Sequence, residues 1–370
     1  MYVCQAFRLI VLMLTAWIVP SVSDERPRTK QQSRGTPVWT DLSQLTKKNL
    51  AREANAVEPS QFRSLAVVAA ATEDQSSNPA LLAAALARGA AFYDDLIALD
   101  SATSYRLFSQ CKSQEEAVRR AQAEKINLIV WCQATTSGKE LSAQVIDCAT
   151  GKDAGKSFTV STTEPWLAKA FALEQPLFQQ LSAHSKVAPE LRHRPVTEDA
   201  AAFANYLKAE RQLLSVLDAP SAELRKVAGE NSLATVSDSL ERDPNFLEAY
   251  LLKASCQDEL GQSTAMQQTL RDAMARKNPA RHNPLTVAEL EGDYAHFCTS
   301  DLEAAMASYN HILEISPSDL RALWSLVDIY LTGDGASKPL PEDINEASNY
   351  AVSILRFHPH SAIAQALTER

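Results

Sequence analysis

Residues 150–157 read TGKDAGKS, close to the G-x-x-x-x-G-K-[ST] loop that cradles phosphate on backbone amides. That chemistry needs a first glycine and a helix N-terminus aimed at the phosphate. Thr150 stands where the first glycine belongs, Gly151 makes the loop one residue short, and KSFTVSTT reads as a strand. A β-hairpin turn is therefore expected. Gly333-Asp334-Gly335 lacks the preceding strand and third glycine of a dinucleotide fingerprint. Asp94 and Asp95 are adjacent, so on a helix their carboxylates diverge rather than pair for acid–base work. His358 and His360 flank Pro359, and helix-end histidines suit the dipole better than they suit a metal. No G-x-S-x-G, H-E-x-x-H or calcium-loop pattern occurs. The expectation is a noncatalytic protein with no cofactor and no metal site.

Composition narrows the partners. The chain has 370 residues, a formal net charge of -9 and only 10 glycines. An acidic balance disfavours nonspecific nucleic-acid binding, which needs basic surface to displace counterions. Five cysteines follow the first segment: Cys111, Cys132, Cys148, Cys256 and Cys298. None is in CxxC spacing, and their number is odd. Buried thiols acting as small apolar groups are expected in preference to disulfides.

The amino terminus has the order of a secretory signal: MYVCQAFR with one Arg, the uncharged LIVLMLTAWIV, Pro20, then small residues before Asp24. A signal peptide over 1–23, cleaved near Ser23, is expected. The alternative is a retained anchor, and only in that case is a membrane a partner. Residues 24–62 read as a polar tether.

From residue 63 the pattern becomes periodic. SLAVVAAA reads as a strand, residues 79–100 as one long helix, SYRLFSQ (104–110) as a strand and 113–125 as a helix. INLIVWCQATT and ELSAQVIDC predict a hairpin turning at Ser137-Gly138, with the first of them a central strand. A further strand over 156–163 and a helix over 165–183, kinked at Pro176, complete an order βαβαβββα. Residues 184–198 read as a linker between two separately buried domains.

Beyond it the pattern is helical. Pro244, Pro279, Pro317 and Pro359 recur at intervals that are, by subtraction, 35, 38 and 42 residues. Apolar stripes keep phase with them, including Ala305 and Tyr309 before Pro317 and Ala322, Leu326 and Tyr330 after it. A repeat of this length implies stacked helical units. The leading unit is expected to pair a helix at 199–217 with one at 231–242 across an insert. The first helix near 285 is expected to be distorted, and an insert is expected at 332–343.

Two family resemblances follow. AEKINLIVWCQATTSGKELSAQVIDCATGKDAG, with Asp147, Thr150 and Gly151, resembles the TolB amino-terminal-like α/β domain over residues 63–183. That domain commonly precedes repeats in bacterial envelope proteins and sensor-regulators. DPNFLEAYLLKASCQDELG, with Ala249, Tyr250, Ala254 and Gly261, and DLEAAMASYNHILEISPSDLRALWSLVDIYL resemble tetratricopeptide (TPR) repeats over 199–370. The resemblances imply a small α/β domain with a mixed sheet, followed by an α-solenoid of about four TPR-like helix pairs. They imply a periplasmic or envelope-associated scaffold binding a protein or peptide. Lys253, Gln257, Ser325 and Asp328 are the candidate contacts, expected to be exposed on the first helices. The alternative is an extracytoplasmic sensor whose α/β part binds a small ligand or envelope component.

Overall fold

The computed structural model describes residues 63–364, apart from 71–77, 94–95, 100, 136–138, 163–165, 182–195, 219–220, 333–340, 360 and 362–363. The expected signal peptide, tether, most of the linker and the Ser137-Gly138 turn lie outside the described residues. So do Asp94 and Asp95, His360, Gly333-Asp334-Gly335 and most of the 332–343 insert.

A small mixed sheet comes first. Its elements are β1 (Arg63–Ala69), α1 (Asn78–Ala90), β2 (Leu96–Ala98), α2 (Ser101–Phe108), α3 (Gln114–Ala123), β3 (Leu128–Ala134), β4 (Glu140–Asp147), β5 (Lys152–Asp153), β6 (Phe158–Ser161), α4 (Trp166–Ala172) and α5 (Glu174–Phe178). Strand order is β2-β1-β3-β4-β5, with β6 also on β4. β1 runs parallel to β2 and β3, and the rest is antiparallel. Alternation fixes the faces. Leu65, Val67, Leu128 and Val130 meet α1 and α4, while Ala66, Val68, Ile129 and Trp131 meet Phe108 and α3. β3 is central, and apolar residues on both of its faces account for its unbroken apolar run.

Three strand and helix assignments need correction. The helix expected over 79–100 ends at Ala90, and Leu96–Ala98 forms β2 against Arg63–Leu65. The strand expected over 104–110 is helix α2, with Ser104 and Phe108 buried one turn apart and Tyr105 exposed. In so short a window either period fits, and pairing with β1 decides. The chain breaks at Leu173 between α4 and α5, and Pro176 sits in the first turn of α5, where a missing N–H costs nothing.

TGKDAGKS begins in a β4–β5 hairpin turn. Gly151 adopts φ +67°, its N–H donates to the Asp147 carbonyl at 2.8 Å, and Asp147 Oδ1 accepts from Thr150 N at 2.8 Å. The Asp carboxylate thus closes the turn, and only glycine takes that φ without strain.

Eight helices follow: α6 (Ala200–Asp218), α7 (Ala222–Arg242), α8 (Leu247–Glu259), α9 (Ser263–Arg276), α10 (Pro284–Tyr294), α11 (Leu302–Ile315), α12 (Leu320–Thr332) and α13 (Pro341–Phe357). They pack pairwise in chain order, and each pair packs on the next. Where an insert before 231 was expected, the described residues from Ala222 are helical. α7 is continuous from Ala222, capped by Ser221, and Gly229 sits within it with the Leu260 side chain alongside. α10 runs into a π-helical turn, Ala295–Thr299, ended by Ser300 at φ 56°.

Apolar packing among the described residues continues past the expected linker. One apolar cluster runs from β1, β3 and α1 through Phe171 to Phe203, Phe246 and Leu270. Rings carry it across: Phe171 lies 5.8 Å from Phe203, which lies 6.4 Å from Phe246. All five described cysteines are free, and four are buried. Burial pushes the Cys256 thiol up to about 11, partly offset by the Ser232 hydroxyl, and also pushes Cys132 up. Among the described residues no helix is long and apolar enough to cross a membrane.

Candidate functional site

The first helices of successive pairs carry polar residues inside otherwise apolar runs. Local signals place them. Asn283 caps α10, with Pro284 following, and Asp319 caps α12 by accepting from Ala322 N at 2.9 Å. These starts fix Thr286, Glu289 and Asp293 on α10 and Arg321 on α12, facing one another or α8.

The contacts run from helix to helix. Thr286 Oγ1 donates to Glu248 Oε1 at 2.6 Å, joining α10 to α8. Arg321 donates to Asp293 Oδ2 at 2.6 Å and also ion-pairs with Glu289, joining α12 to α10. Tyr309 of α11 donates to the other Asp293 oxygen at 2.6 Å. Asp293 is wholly buried. Burial pushes its carboxyl up to about 7, Tyr309 opposes the rise and Asp258 adds to it. The Arg321 guanidinium works with Tyr309, since a nearby cation favours the carboxylate.

Gly292 makes the arrangement possible. A Cβ there would sit 2.9 Å from the Tyr309 ring, so only glycine lets the ring lie flat on α10 with its hydroxyl on Asp293. Tyr309 is itself fully buried.

At the other end, α1 joins the series. The Arg88 guanidinium lies 5.0 Å from the Tyr206 ring centroid and 5.5 Å from that of Phe203. Burial alone would lower its pKa, but Tyr206, Glu210 and Glu248 together raise it. The α/β part is therefore bound to α6 and α8 by a buried cation as well as by apolar packing.

A separate crevice of about 100 Å³ opens at the carboxyl end of β1. Val67, Val68 and Ala69 of β1 and the following Ala70 line it, with α1, α2 and α6 around it. The ladder to β2 ends at Leu65–Ala98, and the α2 side of the crevice carries Ser104. The Ser104 hydroxyl is buried and makes no hydrogen bond.

The candidate contact residues fare unequally. Lys253 and Asp328 are half-buried on α8 and α12. Gln257 and Ser325 are not exposed, at 7% and 1%. Gln257 accepts from Thr269 Oγ1 of α9 at 2.7 Å, so it faces its own partner helix rather than the expected exposed surface. Ser325 lies against Tyr309. The stripe residues Ala249, Ala254, Ala305, Ala322 and Leu326 are at or below 2% exposure, and Tyr250 is buried beneath Arg276. Gly261 turns α8 into α9 at φ 69°, Pro317 is half-buried between α11 and α12, and Tyr330 stacks on Tyr350 at 6.0 Å.

The Glu248, Asp293 and Arg321 links were not among the expected residues. Their signal is a charge inside an apolar run, as in FLEAYLL and LRALWSL. Among the described residues, no group of three or more His, Cys, Asp or Glu side chains is placed to hold a metal. His358 is buried and bonds the Ser318 carbonyl. No protein-family model matches the chain, and no curated protein matches it.

Proposed function

We propose that the chain is a noncatalytic exported adaptor of the bacterial envelope. In this reading α6 to α13 are four TPR-like pairs stacked as an α-solenoid, carried by a TolB-amino-terminal-like α/β unit. The first helices present a surface to a protein or peptide. One observation carries the reading: first helices are joined to one another in series, Glu248 to Thr286 and Asp293 to Arg321. Stacked units need such junctions, because no pair buries both faces alone. A rigid series of helices also costs a bound segment little reorganisation of its receptor.

Export is tested by sequencing the amino terminus of the protein recovered from the envelope fraction. A start at Asp24 is expected, and a full-length cytoplasmic protein overturns the export claim.

A second reading, ligand sensing by the α/β part, is favoured by the crevice at the end of β1. Apolar walls with a few convergent polar groups are what small-molecule sites have in common.

A further inference from the structure

We propose that the crevice at the carboxyl end of β1 binds a small organic carboxylate, with the acid group on Arg211 and the Ser104 hydroxyl. The inference rests on the second reading above and gives it a ligand class.

Topology puts the crevice where ligands collect. From β1 the chain crosses by α1 to β2 on one side, then returns by α2 and α3 to β3 on the other. α1 covers one face of the sheet and α3 the opposite one. The carboxyl end of β1 is thus a point where connections diverge, and in open α/β sheets that leaves an opening beyond the strand ends.

Side chains then set the chemistry. Ala80, Ala83, Ala84 and Ala87 line the crevice at one-turn spacing on α1, so the floor is apolar and set back. A single water needs on the order of 10–15 Å³ of such space, so about 100 Å³ admits a short carbon chain with a polar head. Ser104 is 5% exposed, and its hydroxyl lacks any hydrogen-bond partner. A buried hydroxyl left unbonded is destabilising, and a ligand acceptor removes that cost.

Charge chooses between acid and base. Arg211 and Glu210 both line the crevice. Glu210 accepts from the Tyr206 hydroxyl at 3.3 Å and interacts electrostatically with Arg88. Glu210 also interacts electrostatically with Arg211, so one carboxylate is shared between two guanidinium groups. Arg211 lies over the Tyr105 ring at 5.6 Å, and burial disfavours its charge. The ring supports a cation but does not neutralise it. The crevice is thus lined by a guanidinium that shares its carboxylate with Arg88 and by a hydroxyl without a hydrogen-bond partner, donors suited to one further carboxylate.

The probes are butanoate, butanamide and butylammonium, of one size and differing in charge. Calorimetry on the full chain reads the affinities. Butanoate is expected to bind at one site at least tenfold more tightly than butanamide. Arg211→Gln is expected to remove that preference while leaving far-UV circular dichroism unchanged. Ala80→Leu fills the floor and is expected to abolish binding, which keeps the test independent of the folding of the Arg211 variant. Butanamide or butylammonium binding as tightly as butanoate overturns the carboxylate assignment but leaves the ligand-binding reading standing. If none of the three binds, both are overturned.

Discussion

Arg321 reaches from α12 to Asp293 of α10, with 2.6 Å between guanidinium nitrogen and carboxylate oxygen. Asp293 is fully buried and Arg321 nearly so, at 14% side-chain exposure. Breaking such a pair from one side leaves a charge without its partner in a medium that solvates it poorly. Above pH 7, where Asp293 carries its charge, Arg321→Gln is therefore expected to cost ~3–5 kcal/mol in urea unfolding. Adding Asp293→Asn to that variant removes the stranded charge and is expected to recover part of the loss. A double variant no more stable than Arg321→Gln would show that the pair does not couple.

The same carboxyl makes stability depend on pH. Its folded pKa, about 7, lies above the ordinary carboxylate range. Between about pH 4 and pH 7 the folded chain therefore holds a proton that the unfolded chain has released. The contribution is full below the unfolded pKa and is lost as pH rises through 7. Its size is at most ~4 kcal/mol, less whatever Arg321 returns to the ionised form. Asp293→Asn is expected to flatten the stability profile across that window. Melting temperatures from pH 4 to pH 8 check this, and an unchanged slope in the variant contradicts it.

Two helical glycines separate packing from propensity. Alanine is favoured over glycine within a helix by ~1 kcal/mol. At Gly229 the added Cβ meets the Leu260 side chain at 3.1 Å, and that chain end can give way. Gly229→Ala is expected to be neutral or slightly stabilising. At Gly292 the Cβ meets the locked Tyr309 ring at 2.9 Å. Gly292→Ala is expected to destabilise by ~1–3 kcal/mol, as overpacking does. Denaturant midpoints of the two variants should move in opposite directions, or only the second should move.

Thiol chemistry gives a third check on burial. Cys132 and Cys256 are wholly buried, whereas Cys298 is half-buried with its sulfur 3.5 Å from the Gln267 carbonyl. A thiolate is the reactive form, and burial raises all three thiols. Site-resolved alkylation of the native chain is expected to label Cys298 first and to reach Cys132 and Cys256 only on unfolding. Early labelling of Cys132 would contradict the central place of β3.

How much of this was legible depended on whether a residue's neighbours are near in sequence. The β3–β4 hairpin, the Asp147–Gly151 turn and the helix after Pro317 are written in local patterns, and they stand where those patterns put them. β2 is three residues long, and only β1 makes it a strand. Gly229 and its polar neighbours resemble a break until Leu260 is seen packed against them. Gln257 and Ser325 were expected at the surface as first-helix positions that the TPR resemblance implies. Thr269 and Tyr309 come from other helices, and nothing local announces them. One apolar cluster also spans the boundary that composition suggested. Removing 196–370 would therefore expose apolar surface on the α/β part.

That shared core argues for testing partner binding by position rather than by truncation. A photo-crosslinking residue at Lys253 or Asp328, on α8 and α12, probes the first helices. The same residue at Glu303 or Glu314, exposed on α11, serves as the comparison. Crosslinked in producing cells and recovered from the envelope fraction, the chain is expected to yield one discrete protein or peptide adduct from both first-helix positions, and little from α11. No discrete adduct at Lys253 and Asp328, or equal yields from α11, would contradict the adaptor account.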